Sequence, residues 1–316
     1  MTERPTPPPS GEDRLADTEL VVVAYRSRAQ VEQMLAGLPA DLPLVVVDNS
    51  DGADGLEQLV VARPGGRYLR GGGVGFARAA NLGARTSGAR HLVFVNPDTR
   101  PTTGDLATLV EDVATDPSCS ASGGTLVEPD GRSQIGVGGW EPTVRRSAVH
   151  ALGLHKLLPR AGIYARPVIG RPEALDWVSG GCMAVRRQTF LDLGCFDEDF
   201  YVYNEDVAFG RASRRAGLAQ RLRTDVPITG SSGGSGAPSL EMMRLRGASM
   251  ARYLRKFHPR VRAEVMVATF GLGYAVRAAV RVLRRDRRRA AEFWAHAVGT
   301  FTGRAFVGGR LVTSRT

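Results

Sequence analysis

Disulfide and zinc chemistry are the first things this sequence does without. Its three cysteines, Cys119, Cys182 and Cys195, are odd in number and include no CxxC pair. That excludes a disulfide framework and a thiolate zinc site, and it is simplest in a reducing compartment. A signal peptide is lacking too: residues 1–18 are Pro-rich and acidic without an apolar core, and read as a disordered leader. The longest uncharged apolar run of the C-terminal part, Val265 to Val276, has 12 residues, too short to span a bilayer. No GxxxxGK[ST] phosphate loop occurs. The first strand-to-helix turn, Ala24-Tyr25-Arg26-Ser27, has no glycine, and the later Gly73-Val74-Gly75 run lacks the third glycine of a dinucleotide fingerprint. A nicotinamide-binding Rossmann domain is thereby excluded.

What is present is unevenly charged. The chain of 316 residues carries a net charge of +10, but from Arg244 to the end there are 17 Lys and Arg against three acids, and before that 25 against 29. The body is slightly acidic and the basicity belongs to the tail. This length accommodates one large domain with an appendage, or two domains.

Along the body, short β-branched runs alternate with helical patterns. Leu20 to Ala24 and Leu44 to Val47 read as buried parallel strands, a short strand is expected near Tyr68-Leu69, and His91 to Val95 is a fourth. The glycine-rich Gly71 to Gly83 runs into a helix between the last two. Strand and helix in alternation predict an α/β layer with a mainly parallel sheet. Ligands of such sheets bind beyond the carboxyl ends of the strands. Tyr25, the Asp48-Asn49-Ser50 turn and Asn96-Pro97-Asp98 all fall just past strand ends, although Asp and Asn are common turn residues in any case. Asp105 to Val113 and Val207 to Gly217 read as helices, Gly123 to Gly139 as Gly-rich with a turn at Pro129-Asp130-Gly131, and Ile228 to Gly236 as a flexible Gly/Ser loop. Val144 to Ile169 reads equally as a mobile segment over a cleft or as a plain surface loop.

The chemistry concentrates between Trp177 and Asp206. Asp197, Glu198, Asp199, Glu205 and Asp206 are interleaved with Phe196, Phe200, Tyr201 and Tyr203. A solvated acidic loop needs no aromatics, and a core strand cannot hold so many unpaired carboxylates. Aromatic walls around acids suggest a cleft in which a carboxylate acts as a base, against the plainer alternative of a surface turn with aromatics tucked beneath it. In the tail, Arg277, Arg281, Arg284, Arg285 and Arg288 fall at i, i+4, i+7, i+8 and i+11, one stripe of a helix, with Val276, Val280 and Leu283 beside it. An anionic membrane surface, a helix docked on its own domain, and nucleic acid all remain open as partners of that stripe.

Taken together, VVVAY, VVVDNS, GFARAANLG, VFVNPD, WVSGGCMAVRR and LGCFDEDFYVYNED with RRAG resemble, in that order over about two-thirds of the chain, the family-2 inverting glycosyltransferases of the GT-A fold. Among those they are most similar to the rhamnosyltransferases of bacterial cell-surface polysaccharide synthesis. The resemblance implies a GT-A domain over residues 19–240 and leaves 241–316 as a basic helical tail. It implies a nucleotide-diphosphate sugar held by Ala24, Tyr25, Asp48, Asn49, Gly75, Asn81 and Asp98. Asp98 would also hold a divalent cation, Mg²⁺ or Mn²⁺. Asp206 would be the catalytic base, with Glu205 orienting the acceptor, and Trp177, Gly180 and Gly181 would sit under the sugar. The acceptor implied is a glycan or polyprenyl-linked sugar, and the location a peripheral one on the cytoplasmic face of the plasma membrane. A catalytically impaired relative that binds sugar as a partner subunit is the alternative, because four positions depart from the family pattern: Gly73 replaces Asn, Ala208 replaces an acid, Arg211 stands one place before the expected arginine, and Gly230 replaces a late His. For the last, three readings stay open: Asp98 and the diphosphate suffice, His258 or a loop His reaches in, or the enzyme is impaired.

Overall fold

The structure is a computed structural model that describes residues 15–50, 52–230 and 239–313. Residues 1–14 of the expected leader and residues 231–236 of the expected Gly/Ser loop lie outside the described residues.

Ordered chain begins before the sequence suggests. Leu15 is buried in the core, and the Asp17 carbonyl accepts from the His91 amide. Strand β1 (Thr18–Ala24) leads to α1 (Arg28–Leu35), β2 (Leu44–Asp48), α2 (Leu56–Val61), β3 (Gly66–Arg70), α3 (Phe76–Thr86) and β4 (His91–Val95). The expected strands and glycine-led helix all form. β1, β2 and β4 are buried almost throughout, so continuous Val/Leu runs here denote strands covered on both faces. After β5 (Thr99–Arg100) comes α4 (Thr103–Thr115), which starts with a capping box between Thr102 and Asp105. Next are β6 (Cys119–Val127), β7 (Gly138–Gly139) and α5 (Val144–Ala151), then β8 (Glu173–Leu175), β9 (Trp177–Val178), β10 (Cys182–Arg186), α6 (Arg187–Asp192), α7 (Glu205–Arg215) and β11 (Ala219–Gly230).

Nine strands form one mixed sheet in the order β3-β2-β1-β4-β10-β6-β11-β5, with β8 also on β11. The β3-β2-β1-β4 half is parallel, and β10 enters antiparallel to both β4 and β6. The order reverses between β1 and β4. That reversal opens a crevice beyond their carboxyl ends, and the register sets Ala24 beside Asp48 there. Ile228 to Gly230 end β11, and so are strand where the sequence suggested loop.

Three helices follow: α8 (Ser239–Phe257), α9 (Arg260–Leu283) and α10 (Arg287–Thr302), then a short hairpin of β12 (Phe306–Val307) and β13 (Arg310–Leu311). They are not an appendage. Trp177, Phe200, Val207 and Ala208 share one apolar cluster with Met250, Tyr253, Leu254, Met266, Val267 and Phe270. Two expectations about the tail are corrected here. The arginine stripe does not lie on one helix: α9 ends at Leu283, Arg285 takes the left-handed conformation (φ 59°), and Asp286 caps α10 by accepting from the Arg289 amide. And α9, at 24 residues with a mean hydropathy of 1.4 over its most apolar window, is long and apolar enough to cross a membrane, although a third of that window is buried within the protein.

Candidate active site

Beyond the strand ends lies a cleft of about 2340 Å³, larger than the roughly 300–1,000 Å³ usual for a single small ligand. Tyr25, Asn49 and Asp98 line it from the β1, β2 and β4 ends, and Ser179, Gly180, Gly181, Glu205 and Asp206 from the other side. The structure therefore brings the strand-end residues and the acidic pair into one hollow.

Not every candidate reaches it. Ala24 is fully buried in β1. Asp48 is buried and its carboxylate is committed: Oδ1 accepts from the Ser50 amide (2.9 Å) and hydroxyl (2.6 Å), Oδ2 from the Tyr68 hydroxyl (2.8 Å). It shapes the turn that presents Asn49, whose own Oδ1 accepts from the Val74 amide (2.9 Å). Gly75 caps α3 with φ 92°, and a Cβ there would lie 2.3 Å from the Tyr201 carbonyl oxygen; that oxygen accepts from the Phe76 amide. Only glycine permits this contact between the α3 start and the acidic loop.

Asn81 needs the firmest correction. It is fully buried away from the cleft, where its Oδ1 accepts from the Phe196 amide (3.0 Å) and its Nδ2 donates to the Phe196 carbonyl (2.8 Å) and to Glu198 (3.0 Å). Its work is to pin the acidic loop, not to touch a donor. Trp177 is also buried, edge-on to Tyr164 at 6.0 Å, so that only a margin of it borders the cleft.

The five acids sort by partner. Glu198 is taken by Asn81 and by Arg85 (2.8 Å). Asp197 and Asp199 are bridged by Lys256 at 2.6 and 2.7 Å, and Asp199 also meets Arg252 at 3.2 Å. Phe196 anchors the loop in a ring cluster with Phe76, Phe94, Phe190 and Phe209. Tyr203 and Asn204 then both take left-handed backbone, φ 70° and 68°, a strained pair that reverses the chain into α7. Glu205 and Asp206 open that helix with no cationic partner among the described residues.

Their electrostatics follow from this. Burial pushes the Asp206 carboxyl up to about 7, against the pull of backbone N–H groups of Val207, of Asp206 itself and of Gly180. Burial and then the neighbouring Asp206 charge hold Glu205 well above the usual carboxylate range, and its Oε2 has no hydrogen-bond partner among the described residues. With its carboxyl near 7, Asp206 is poised between acid and base at neutral pH, and Glu205 beside it is shifted toward its protonated form. The Gly180 amide thus ties the WVSGG segment to Asp206, and the Gly181 carbonyl accepts from the Asn96 amide (2.8 Å), which ties the same segment to the Asp98 turn.

The departures from the family pattern now have positions. Ala208 faces the core shared with α8 and α9, where an acid would be buried unpaired. Arg211 and Arg214 both bind Glu141, which also accepts from Tyr253 (3.2 Å). Arg211 therefore braces α7 against α8 and is not a cleft residue. His258 stands 4.0 Å from the same glutamate and does not line the cleft, so compensation by His258 does not occur. Gly230 pairs with Thr99, and a Cβ on it would lie 3.3 Å from the Asp98 carbonyl oxygen. That backbone position is therefore adjacent to Asp98 but carries no ligand. Among the described residues no group of three His, Cys, Asp or Glu side chains converges to hold a metal. The expected ligand Asp98 does line the cleft, and one carboxylate suits a Mg²⁺- or Mn²⁺-type ion that takes most of its oxygens from phosphate and water.

One wall was not read as site from the sequence. Tyr164, Arg246, Arg277, Arg281, Phe293 and His296, with His150 and Lys156 of the segment over the cleft, line the same hollow. The arginine spacing was visible, but only the fold tells which way the stripe faces.

No family model matches the chain. Over 218 residues, 63% of this chain and 70% of the relative, it is 30% identical to the N-acetylglucosaminyl-diphospho-decaprenol L-rhamnosyltransferase of Mycobacterium tuberculosis. Over 206 residues, 60% of this chain and 73% of the relative, it is 25% identical to rhamnosyltransferase WbbL of Escherichia coli K12. The solved mannosyltransferase PcManGT from Pyrobaculum calidifontis, in complex with GDP-Man and Mn²⁺, shares its fold at a TM-score of 0.53 and 18% identity, over 90% of this chain and 87% of that one. With strands, crevice and acidic pair in the expected relation, the chain belongs to the GT-A glycosyltransferases, as a distant relative of the rhamnosyltransferases.

Proposed function

We propose that this glycosyltransferase moves a sugar, rhamnose being the first candidate, from a nucleoside diphosphate to a glycan or polyprenyl-linked acceptor, with inversion at the anomeric carbon. The observation that carries the reading is the uncharged-tending carboxyl of Asp206 in one hollow with Tyr25, Asn49 and Asp98. The donor would lie with its nucleotide at the strand ends and its sugar toward Gly180. Asp206 would take the proton of an acceptor hydroxyl while that oxygen bonds to the anomeric carbon. The bond from that carbon to the diphosphate oxygen breaks on the opposite face, and its electron pair leaves with the nucleoside diphosphate. A base with a raised pKa suits a hydroxyl that becomes acidic only as it reacts. Asp98 would hold a divalent cation against the diphosphate, and such an ion would neutralise the charge on the leaving group.

Asp206→Asn tests the reading. It should cut transfer by at least about a hundredfold, the usual scale for a general base, with nucleotide-sugar binding retained; transfer at the wild-type rate would remove Asp206 from the mechanism. The rival, a sugar-binding subunit without turnover, draws on Gly230 and the single carboxylate at Asp98. It predicts donor binding with no transfer in the wild type.

Attachment to the cytoplasmic face of the plasma membrane belongs to the same proposal. It is supported by the exposed apolar side chains Val282, Leu283 and Trp294 on the C-terminal helices.

A further inference from the structure

The proposed transfer chemistry leaves one wall of the cleft without a task. On α9, Leu272, Val276 and Val280 follow one another at four-residue steps, and Arg277, Arg281 and Arg284 run just beside them. All six line the hollow that holds Asp206. The apolar row is open to solvent, at 60%, 61% and 39% exposure. An exposed apolar row on a helix this hydrophobic normally marks a contact surface.

The arginines are set in place by neighbours of their own, and Arg281 already has an acidic partner. Arg277 donates to the His150 carbonyl and stacks over Tyr274 at 4.9 Å. Arg281 meets Asp286 at 3.2 Å, while Asp286 also caps α10. Arg246, on α8, stacks over Tyr203 at 4.7 Å, three residues before Asp206. Tyr164 stands within electrostatic reach of both Arg246 and Asp206, so the cationic wall and the base border the same space.

We propose that this wall is the acceptor subsite: Arg246, Arg281 and Arg284 hold the phosphate or diphosphate of a lipid-linked acceptor, and the first units of its hydrocarbon chain lie along Leu272, Val276 and Val280. The inference rests on the transferase reading and adds to it the parts of the acceptor that are recognised. A wall cationic along one edge and apolar along the other matches an amphiphile with an anionic head. Guanidinium groups bind phosphate oxygens through charge-assisted pairs, and each methylene of the chain that is buried strengthens binding further. A nucleic-acid backbone would leave the apolar row unused. A bulk anionic bilayer would not need arginines that face into the cleft.

The test uses full-length protein with the donor end filled by saturating deoxythymidine diphosphate. Farnesyl diphosphate, farnesol and inorganic diphosphate are titrated below their aggregation limits by calorimetry. Farnesyl diphosphate should bind at least tenfold more tightly than either part. Arg281→Gln with Arg284→Gln should weaken it at least tenfold. Leu272→Ser with Val276→Ser, which touches only exposed side chains, should weaken farnesyl diphosphate and leave inorganic diphosphate unchanged; it decides the matter even where the arginine variant fails to fold. Equal binding of farnesol and farnesyl diphosphate, or an affinity that neither variant changes, overturns the subsite. Failure of the transferase reading shows differently, as wild-type protein that neither binds nor turns over any nucleotide sugar while its farnesyl diphosphate titration is still readable.

Discussion

Five acids within ten residues look alike in sequence, and the fold gives them opposite duties. Asp197, Glu198 and Asp199 meet cations at salt-bridge distance, whereas Glu205 and Asp206 meet none among the described residues and are raised by burial. The raised pair sets a sign for both activity and stability. Asp206 is protonated below about pH 7 and cannot act as a base there, so transfer should rise with pH through about 7. Glu205→Gln, which mimics the protonated acid already favoured at that site, should keep this limb. A limb near pH 4 in the wild type would contradict the burial argument. For stability, a carboxyl raised on folding contributes fully below its unfolded pKa and loses that contribution as pH climbs through the folded value. Asp206 should therefore cost stability above pH 7, by about 1.4 kcal/mol for every tenfold difference in proton affinity between the folded and unfolded chain. Thermal melts of Asp206→Asn should exceed wild type at about pH 8 and converge with it by about pH 4. An equal difference at both would show that the substitution acts by packing alone.

At the scale of elements, α7 matters because its first turn carries the acidic pair. Its approach to β9 is set at Gly210, where an added Cβ would lie 2.3 Å from the Asp176 carbonyl oxygen and 2.6 Å from the Trp177 Cβ. Neither can swing aside as the end of a long side chain would, so the helix must shift. Gly210→Ala should lose about 1–3 kcal/mol of stability, the usual cost of overpacking, and should lower kcat at temperatures where the variant is still folded. Wild-type stability and kcat would mean that α7 tolerates displacement. Elements of this kind differ in how legible they are. β1, β2 and β4 could be read because β-branched runs covered on both faces leave few alternatives. β6, written CSASGGTLV, hid behind small residues, although it lies deep in the sheet and is buried throughout. β11 hid for the opposite reason: its burial alternates, and its arginines pair with Asp112, Asp116 and Asp225, a partnership invisible without the fold. Among site residues, Tyr25, Asn49 and Asp98 were marked by strand ends, while Glu205 and Asp206 were singled out from the five acids by the family resemblance alone. Asn81 was misplaced because a motif position says that a residue matters without saying which way it points.

For the molecule as a whole, charge suggests a division that packing does not respect. The acidic body and basic tail meet in a single core, in which Trp177, Phe200 and Val207 lie against Met250, Tyr253, Leu254, Met266 and Phe270. Glu141 adds polar stitches from Arg211, Arg214 and Tyr253 across the same seam. Burying a large apolar side chain is worth roughly 1.5–3 kcal/mol, so the five tail residues named account for about 8–15 kcal/mol, as much as the typical 5–15 kcal/mol stability of a whole domain. A chain ending at residue 240 would expose the body's half of this core and the rear of α7, the helix that carries Asp206. We therefore expect it to lose its cooperative melt, to bind a hydrophobic dye, and to lose nucleotide-sugar binding along with transfer. A tail that served only as a membrane tether would behave otherwise: its removal would release a soluble fragment that melts within a few degrees of the full chain and still binds donor. Melting and donor titration of the two proteins side by side separate these outcomes. The second outcome would show that the cationic wall belongs to an appendage, whereas the first makes it part of the enzyme's own cleft.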